Sequence, residues 1–289
     1  MKIVPKYEWI IWLYLIDSEN PWPTVAIFSW IHWDEISGIR AAKKLLSDIR
    51  TWKIPIRKGR IMLLIWANRK AIKAGKRYMR DNLNRLFIDE IKGEWYEYER
   101  SKELKEVLKK CEYILDLHST SWLSVPYIMT EKKHVPFAKK LWIPTMVVWW
   151  GQLGSAFITG DTDGYINSHW WVWFTFEAWD HLSPEWAKNA YRISLNYLSI
   201  LKLIDESHFQ EIAGDRKYVK MENIYICESG AFEFRLPLPE NFQPIRKGVL
   251  IWMDGNKEVR AEKDMILVMP NIANPKKWED VFFIGKLLK

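Results

Sequence analysis

Two histidines and a glutamate in this chain have the residue types and the spacing of a zinc site. His32 and Glu35 form a His-x-x-Glu pair directly after the apolar run 24–31, and His118 directly follows the run 112–117. Zinc binds imidazole nitrogens and carboxylate oxygens, and a catalytic site adds a water to three protein ligands. The pair alone is more often explained by an unrelated histidine. With His118, the three residues make the His₂Glu set of a hydrolytic zinc site.

Further carboxylates stand near this set in the sequence. Asp34 and Asp116 are candidates to hydrogen-bond the ligands. Because Asp116 lies two residues before His118, its side chain is expected to face the opposite way. Glu177 ends the apolar run 172–177 and would activate a zinc-bound water. For Glu177 on its own, a strand end at the surface is the simpler interpretation.

A basic cluster offers a way to hold an anion. The segment 77–85, RYMRDNLNR, contains Arg77 and the adjacent pair Asn84 and Arg85. A guanidinium binds a carboxylate through two parallel hydrogen bonds. Beside a metal site, the Asn-Arg pair would therefore hold an anionic substrate. Away from such a site, the same segment is an ordinary solvated helix face.

The elements that must position these residues alternate between strand and helix over the first two-thirds of the chain. Apolar runs predict buried strands, and apolar residues three or four apart predict helices. Strands separated by helices predict an α/β fold, with a mostly parallel or mixed sheet and helices on both faces. In such sheets ligands bind beyond the carboxyl ends of the strands, where His32 and His118 stand. The predicted strands are 24–31, 60–67, 112–117, 144–150 and 172–177, and the predicted helices are 35–50, 101–110 and 184–204.

The character of the sequence changes near residue 205. From there short alternating segments follow, and the pair Asp254-Gly255 is a hairpin signal. We therefore predict two domains, residues 1–205 with the α/β fold and residues 206–289 as a small β-rich C-terminal domain. The alternating segments are 217–227, 231–236, 247–253, 257–261, 264–269 and 279–287.

The composition of the chain is that of a globular protein and argues against disulfide-rich and membrane-spanning proteins. The chain of 289 residues is 48% hydrophobic and 27% charged, which is typical of a globular protein. Two cysteines exclude a disulfide framework, so a reduced, cytoplasmic protein is expected. No uncharged apolar window reaches the length of about 18 residues that a membrane span needs, and residues 1–20 resemble a strand more than a signal peptide. The net charge of +7 comes from interleaved charges, so we expect neither a nucleic-acid nor a membrane partner.

Five motifs in a fixed order resemble those of one family. They are His32-x-x-Glu35, Asn68-x-x-Ala71, Arg77-Tyr-x-x-x-x-Leu-Asn-Arg85, Asp-Leu-His118-Ser-Thr and Phe-Glu177. The pattern is similar to that of the succinylglutamate desuccinylase/aspartoacylase family, which are zinc hydrolases related to the metallocarboxypeptidases. The resemblance spans residues 24–205 and is weaker in the β-rich region. It implies a zinc-carboxypeptidase-like fold for the first domain.

The resemblance implies catalytic roles residue by residue. His32, Glu35 and His118 match the ligands of one zinc ion per chain. Glu177 matches the general acid/base, and Arg77 matches the arginine that polarises the scissile carbonyl. The implied reaction is hydrolysis of the amide of an N-acyl amino acid or a similar small amide. Zinc and Glu177 would activate water, zinc and Arg77 would stabilise the oxyanion, and Glu177 would return the proton to the leaving amine.

The same resemblance implies how the substrate is held. Asn84 and Arg85 match the pair that grips a substrate carboxylate. Asn68 is a lesser candidate, because it stands in Ala-Asn-Arg-Lys-Ala where the family usually has Gly-Asn-Pro-x-Ala. Asn82 stands where the family often has aspartate. The implied partner is a small anionic N-acyl amino acid, and a homo-oligomer is left open.

Tryptophan stands at several positions where the family has glycine. Trp30 and Trp33 lie on either side of His32, and Trp179 follows Glu177 by two residues. The chain has 19 tryptophans but only 13 glycines, whereas average usage would give roughly 20 glycines. These tryptophans belong to a remodelled site, or were engineered, or stand where the natural chain has glycine. Two alternatives to a deacylase stay open: a zinc carboxypeptidase-like peptidase, and a non-catalytic binding protein whose site is blocked by tryptophan.

Overall fold

A computed structural model gives the fold over most of the chain. The residues that it describes are 1–7, 10–29, 31–32, 35–90, 92–120, 124–141, 143–148, 160–169, 171–180, 184–211, 214, 216–271 and 275–288.

The described residues form six α-helices and fifteen β-strands, joined by short 3₁₀ turns. None of the helices is long and apolar enough to cross a bilayer. The helices are α1 (Ile36–Arg50), α2 (Arg69–Ala74), α3 (Tyr96–Leu108), α4 (Val135–Ala138), α5 (Thr162–Ser168) and α6 (Pro184–Ile200). The strands are β1 (Lys2–Tyr7), β2 (Ile10–Asp17), β3 (Thr24–Ser29), β4 (Arg60–Leu64), β5 (Tyr113–Thr120), β6 (Tyr127–Thr130), β7 (Thr145–Val148), β8 (Val172–Asp180), β9 (Lys217–Ile226), β10 (Phe232–Phe234), β11 (Pro244–Ile245), β12 (Leu250–Asp254), β13 (Lys257–Arg260), β14 (Met265–Val268) and β15 (Asp280–Leu288).

Twelve strands form one mixed sheet in the order β1-β2-β4-β3-β5-β8-β6-β7-β9-β15-β14-β11. The central strands β4, β3, β5 and β8 are parallel, as are the pairs β6–β7 and β7–β9. Strand β6 is antiparallel to β8, and the strands at both edges are antiparallel to their neighbours. The carboxyl ends of the central strands therefore meet at one edge of the sheet.

Helices cover both faces of this sheet. On one face α1 and α6 pack their apolar sides into a common core that includes Leu45 and Trp186. On the other face α3 and α5 contribute Leu104 and Ile166 to a second core. Alternate residues of β3 enter the two cores, because successive side chains of a strand point to opposite faces. Burying a side chain the size of leucine contributes roughly 1.5–3 kcal/mol, so the two helical layers stabilise the sheet. The predicted α/β fold is confirmed.

Helix α1 lies unusually close to the sheet at its first turn. A Cβ atom on Gly38 would lie 3.1 Å from the carbonyl oxygen of Leu117 and 3.1 Å from the Cβ of Ser29. Glycine allows this approach because it has no side chain. The start of α1 is thereby held against the carboxyl ends of β3 and β5, and Glu35 immediately precedes it.

The strands after residue 205 form two groups. Strands β9, β15, β14 and β11 extend the twelve-stranded sheet, and β10, β12 and β13 form a separate three-stranded sheet. A third core joins the two groups. The predicted hairpin is confirmed, since β12 and β13 are antiparallel with Asp254 opposite Lys257. The β-rich C-terminal region is present, and its division from residues 1–205 as a separate domain stays a prediction.

The predicted helix 101–110 is wrong in its limits, because α3 begins at Tyr96 and ends at Leu108. The first turn of α3 carries Glu97 and Glu99, and these charged residues hide the apolar period. Strand β6 and the short helices α2, α4 and α5 were not predicted. Each has seven residues or fewer, which is too short for a periodic pattern to emerge.

Candidate metal centre and active site

The two histidines and the glutamate lie near the carboxyl ends of the parallel strands β3 and β5. Ser29, the last residue of β3, is opposite Leu117, and β5 continues past this level to Thr120. His32 follows β3, and His118 is the residue after Leu117. Glu35 is the N-cap residue of α1. Two segments that are distant in sequence, residues 32–35 and the end of β5, therefore meet at one point of the sheet edge.

The carboxylate of Glu35 lies between the two imidazoles. Its Oε1 is 2.6 Å from Nδ1 of His32, and its Oε2 is 3.2 Å from Nδ1 of His118. One ligand atom from each of the three residues lies within 4.8 Å of the others, and all three residues are buried. Because the carboxylate faces the imidazoles, it makes no capping hydrogen bond to α1.

The three groups shift one another's pKa values. Burial alone would raise the pKa of Glu35, but His32 and His118 outweigh it and hold that pKa well below its usual range. Burial lowers the pKa of His32, and the Arg77 guanidinium lowers it further. Burial would also lower the pKa of His118, but Asp116 and Glu35 outweigh it and raise that pKa well above its usual value. The anionic carboxylate thus favours a positive charge between the imidazoles.

The donor set fits a zinc ion. Two imidazole nitrogens and a carboxylate oxygen are the ligands of hydrolytic zinc sites. Among the described residues, the Oε2 atom of Glu35 is buried and has no hydrogen-bond partner, although Nδ1 of His118 lies only 3.2 Å away. An oxygen and a nitrogen that face each other in this way are suitably placed to bind one cation. His32, Glu35 and His118 would hold the ion, and their role as ligands stays a proposal.

The far nitrogens of both imidazoles contact side-chain oxygens. Nε2 of His32 is hydrogen-bonded to Oδ1 of Asn82 at 3.1 Å, and Nε2 of His118 lies 3.0 Å from Oδ2 of Asp116. Such bonds place the proton on Nε2 and leave the lone pair of Nδ1 for a metal. The prediction that Asp116 faces away from His118 is wrong, because side chains two residues apart point to the same face of a strand.

Glu177 lies beside His118 on the neighbouring strand. Strands β5 and β8 are parallel, with His118 opposite Glu177. Burial raises the pKa of Glu177 to about 8, although the charge of His118 partly offsets this rise. The Oε2 atom of Glu177 has no hydrogen-bond partner within the described segments. A carboxyl group with such a pKa can both accept and donate a proton near neutral pH. The simpler interpretation, a strand end at the surface, is wrong, since Glu177 is buried and β8 continues to Asp180.

Arg77 lies in the loop that follows α2. Its side chain is exposed. The positive charge of Arg77 lowers the pKa of His32 and that of Glu177. The predicted contact of Arg77 with the carbonyl oxygen of a substrate stays a prediction.

Asn84 and Arg85 belong to a 3₁₀ turn, Leu83–Arg85, rather than to a solvated helix. Asn82 caps this turn, because its Oδ1 accepts a hydrogen bond from the backbone N–H of Asn84 at 3.0 Å. The same Oδ1 contacts His32, so the turn is tied to the ligand cluster. Arg85 is exposed, and its Nη1 donates to the carbonyl oxygen of Asn84 at 2.7 Å.

Asn68 has a structural role in the fold. It is the N-cap residue of α2, where its Oδ1 accepts a hydrogen bond from the backbone N–H of Ala71 at 3.4 Å. The side chain is fully buried. Over the described ranges, Asn68 makes no hydrogen bond to the three candidate ligands. Its Nδ2 atom is buried without a hydrogen-bond partner within the described segments, and its role in substrate binding stays a prediction.

Two residues of the candidate site could not be predicted from the sequence, because no motif contains them. The hydroxyl of Thr162 donates to Oδ2 of Asp116 at 2.7 Å. Tyr127 of β6 is fully buried opposite Glu177. Burial raises the pKa of Tyr127 well above its usual value, and the nearby Glu177 adds to this. Long-range contacts bring both residues to the site, and no local pattern predicts such contacts.

The tryptophans that stand nearest the site residues in the sequence lie outside the described residues. These are Trp30 and Trp33, together with the side chain of Trp179. Asp34 also lies outside them. The predicted obstruction by tryptophan and the predicted hydrogen bond from Asp34 stay predictions.

The fold and the cluster define a class of α/β proteins with a buried His-Glu-His cluster at the carboxyl edge of a mixed sheet. Residues 21–140 match the model of the succinylglutamate desuccinylase/aspartoacylase catalytic domain. The resemblance found in the sequence is therefore confirmed. The matched stretch contains His32, Glu35 and His118, and Glu177 lies beyond it.

Solved structures share this fold over nearly the whole chain. A succinylglutamate desuccinylase from Vibrio parahaemolyticus has a TM-score of 0.75 at 18% identity, covering 96% of this chain and 86% of that one. A succinylglutamate desuccinylase/aspartoacylase from Rhodobacter sphaeroides has a TM-score of 0.74 at 17% identity, covering 96% and 89%. The product-bound ectoine utilization protein EutE (DoeB) from Ruegeria pomeroyi has a TM-score of 0.71 at 20% identity, covering 94% and 88%. At these identities the similarity shows the fold.

Proposed function

We propose that this chain is a zinc-dependent hydrolase that removes the acyl group from an N-acyl amino acid or a similar small amide. One observation carries the proposal. His32, Glu35 and His118 gather at the sheet edge beside a buried Glu177 whose pKa is raised to about 8. The match to a hydrolase catalytic domain over residues 21–140 supports it.

In the proposed amide hydrolysis, each side chain of the site has a separate role. When bound, zinc would supply a Lewis acid that polarises the amide carbonyl and makes water more acidic. Glu177 accepts a proton from the attacking water and delivers it to the leaving amine nitrogen, which its raised pKa allows near neutral pH. The guanidinium of Arg77 stabilises the negative charge that develops on the carbonyl oxygen.

The proposed substrate is a small anion. Asn84 and Arg85 lie in a turn that Asn82 ties to His32. The exposed guanidinium of Arg85 can present its remaining N–H groups to a carboxylate that arrives from solvent. A carboxylate bound there would hold the amino-acid part of the substrate next to the ligand cluster.

The test is the release of a free amino group from a panel of N-acyl amino acids, beginning with N-succinylglutamate and N-acylated aspartate. The protein is loaded with zinc, and the same protein treated with a chelator is the control. We expect release that the chelator abolishes and added zinc restores. No release by the zinc-loaded protein would contradict the proposal. Release of C-terminal residues from peptides would favour a peptidase, and binding without release would favour a binding protein.

A further inference from the structure

A hydrogen-bonded path leads away from His118 on the side opposite Glu35. Nε2 of His118 lies 3.0 Å from Oδ2 of Asp116, and the hydroxyl of Thr162 donates to that same oxygen at 2.7 Å. Asp116 is only 1% exposed, and its other oxygen has no hydrogen-bond partner within the described segments. Thr162 therefore supplies one of the few contacts that hold this buried carboxylate in place.

The path continues from Thr162 to the other histidine. The backbone N–H of Thr162 donates to Oδ1 of Asn84 at 3.1 Å. The backbone N–H of Asn84 donates to Oδ1 of Asn82 at 3.0 Å, and this oxygen also contacts Nε2 of His32. The outer sides of both candidate ligands are thus joined through Thr162 and Asn84.

Close backbone contacts fix the position of Thr162. The carbonyl oxygen of Gly160 accepts a hydrogen bond from the backbone N–H of Phe87 at 2.8 Å. Gly160 has φ +97°, and a Cβ atom there would lie 2.4 Å from the carbonyl oxygen of Arg85. The start of α5 is therefore pressed against the turn that carries Asn84 and Arg85.

We propose that Thr162 is a positioning residue that holds the metal ligand His118 and the substrate-binding Asn84 in one arrangement. The inference rests on the proposed function, because it concerns the same site. The hydroxyl of Thr162 acts on His118 through Asp116, and the backbone N–H acts on Asn84 directly. Thr162 itself binds neither the metal nor the substrate.

Each of the two hydrogen bonds from Thr162 fixes the orientation of one acceptor side chain, that of Asn84 or that of Asp116. Because Oδ1 of Asn84 accepts from Thr162, the NH₂ group of the amide points away from Thr162 and remains available to a carboxylate. Because Oδ2 of Asp116 is held by the hydroxyl of Thr162, it stays in position to receive the N–H of His118. Metal affinity and substrate affinity both depend on this one residue.

The hydroxyl is tested by measuring the zinc dissociation constant in competition with a chromophoric chelator. Thr162→Val keeps the shape but lacks the hydroxyl, and it should bind zinc about 10–100-fold more weakly. Thr162→Ser restores the hydroxyl and should stay within about threefold of the wild type. The matched control is Thr130→Val, which removes another buried hydroxyl, bonded to the carbonyl oxygen of Trp173 at 3.2 Å, and should leave zinc affinity unchanged.

The backbone contact is tested with Gly160→Ala. The added Cβ would push the start of α5 away from Arg85 and Asn84, so KM for the hydrolysed N-acyl amino acid should rise at least about tenfold while kcat changes less. Gly75→Ala is the control, because Gly75 also has a positive φ, +60°, but in the described part of the chain no atom beyond its local backbone lies within 4 Å of the added Cβ.

The outcomes separate this inference from the proposed function. Equal zinc affinity of the wild type and Thr162→Val would overturn the inference and leave the proposed function standing. An equal loss in Thr130→Val would indicate a general packing effect and would also overturn it. A wild-type protein that binds no zinc would overturn both. If Thr162→Val does not fold, Thr162→Ala provides the same comparison with Thr162→Ser.

Discussion

Two buried glutamates of the site have opposite electrostatic surroundings. Glu35 faces His32 and His118, which hold its pKa well below the usual range despite burial. Glu177 lies on β8, opposite His118, and there burial prevails and raises its pKa to about 8. Groups whose pKa values are pushed apart in this way are suited to different roles. Glu35 is suited to bind a cation, and Glu177 is suited to carry a proton.

Glu177→Gln should abolish most hydrolysis while leaving the metal site intact. Glutamine has nearly the same shape but cannot accept a proton from water, so kcat should fall at least about 100-fold. Zinc content should not change, because Glu177 is not one of the three clustered ligands. Both quantities are measured on the same preparation. Glu222→Gln on β9, whose carboxylate pairs with Lys263, is the control. A kcat close to that of the wild type would show that Glu177 is not the acid/base.

His134 should make the protein less stable in acid. Burial, with a smaller effect of Lys133, lowers the pKa of this core histidine to about 4. Between about pH 6.5, the usual histidine pKa, and about pH 4, the histidine is protonated in the unfolded chain but neutral in the folded chain. The free energy of unfolding is therefore highest above about pH 6.5 and decreases as the pH falls below that value. The loss amounts to about 3 kcal/mol at most.

The measurement is the free energy of unfolding from urea titrations between pH 7 and pH 4, for the wild type and His134→Gln. The variant should show a shallower fall with decreasing pH. His208→Gln, in the 3₁₀ turn Glu206–His208, controls for the loss of one histidine. Parallel curves for the wild type and His134→Gln would contradict the prediction.

For single residues, the sequence predicted which side chains belong to the candidate site better than it predicted which of them are in contact. His32, Glu35, His118 and Glu177 could be found because each lies at or just after a run that predicts a strand. The contact of Asp116 with His118 was predicted wrongly, although the strand period alone indicates it. Thr162 could not be found, because its partners lie 46 and 78 residues earlier in the chain.

Among the elements, helix α1 shows how tryptophan is accommodated in this fold. Trp52 follows the C-cap residue Thr51 and has φ +58°, the left-handed conformation in which helices commonly end with glycine. Trp12 and Trp278 also have positive φ. Trp52 is 63% exposed, so packing offsets little of the backbone cost. The excess of tryptophan over glycine in the sequence thus coincides with positions that favour glycine.

Trp52→Gly should stabilise the protein. Relief of the left-handed conformation contributes about 1 kcal/mol, which corresponds to a rise of roughly 2 °C in Tm. Trp52→Ala is the matched control, because it removes the indole but keeps the cost of a Cβ at positive φ. Thermal unfolding of the three proteins gives the comparison. An equal rise in Tm for both variants would assign the effect to the exposed indole instead of the backbone.

The predictability of the elements follows from their length and burial. Strands β3, β4 and β8 were predicted because central parallel strands are buried on both faces and consist of apolar runs. Helices α1 and α6 were predicted because 15 and 17 residues are long enough for a helical period. Strand β6 has four residues, and only its pairing with β7 and β8 identifies it.

Over the whole molecule, the β-rich C-terminal region packs close to the candidate site. Nδ2 of Asn241 donates to Oγ of Ser124 at 3.0 Å. The ring of Phe242 packs edge-on against Tyr127, with 5.0 Å between ring centroids, and Tyr127 is opposite Glu177. The sequence predicted the β-rich character of this region from its alternating segments. The joining of β9 to β7 in one sheet depends on pairing between distant strands, which local patterns do not encode.

The central claim is that the folded chain builds a zinc site from His32, Glu35 and His118. The most direct test is the zinc content of protein purified without added zinc and then again after zinc is supplied. We expect about one zinc ion per chain, lost in His32→Ala and in His118→Ala but kept in the control His208→Ala. Protein that holds no zinc under either condition would contradict the account, and so would zinc that persists in both ligand variants.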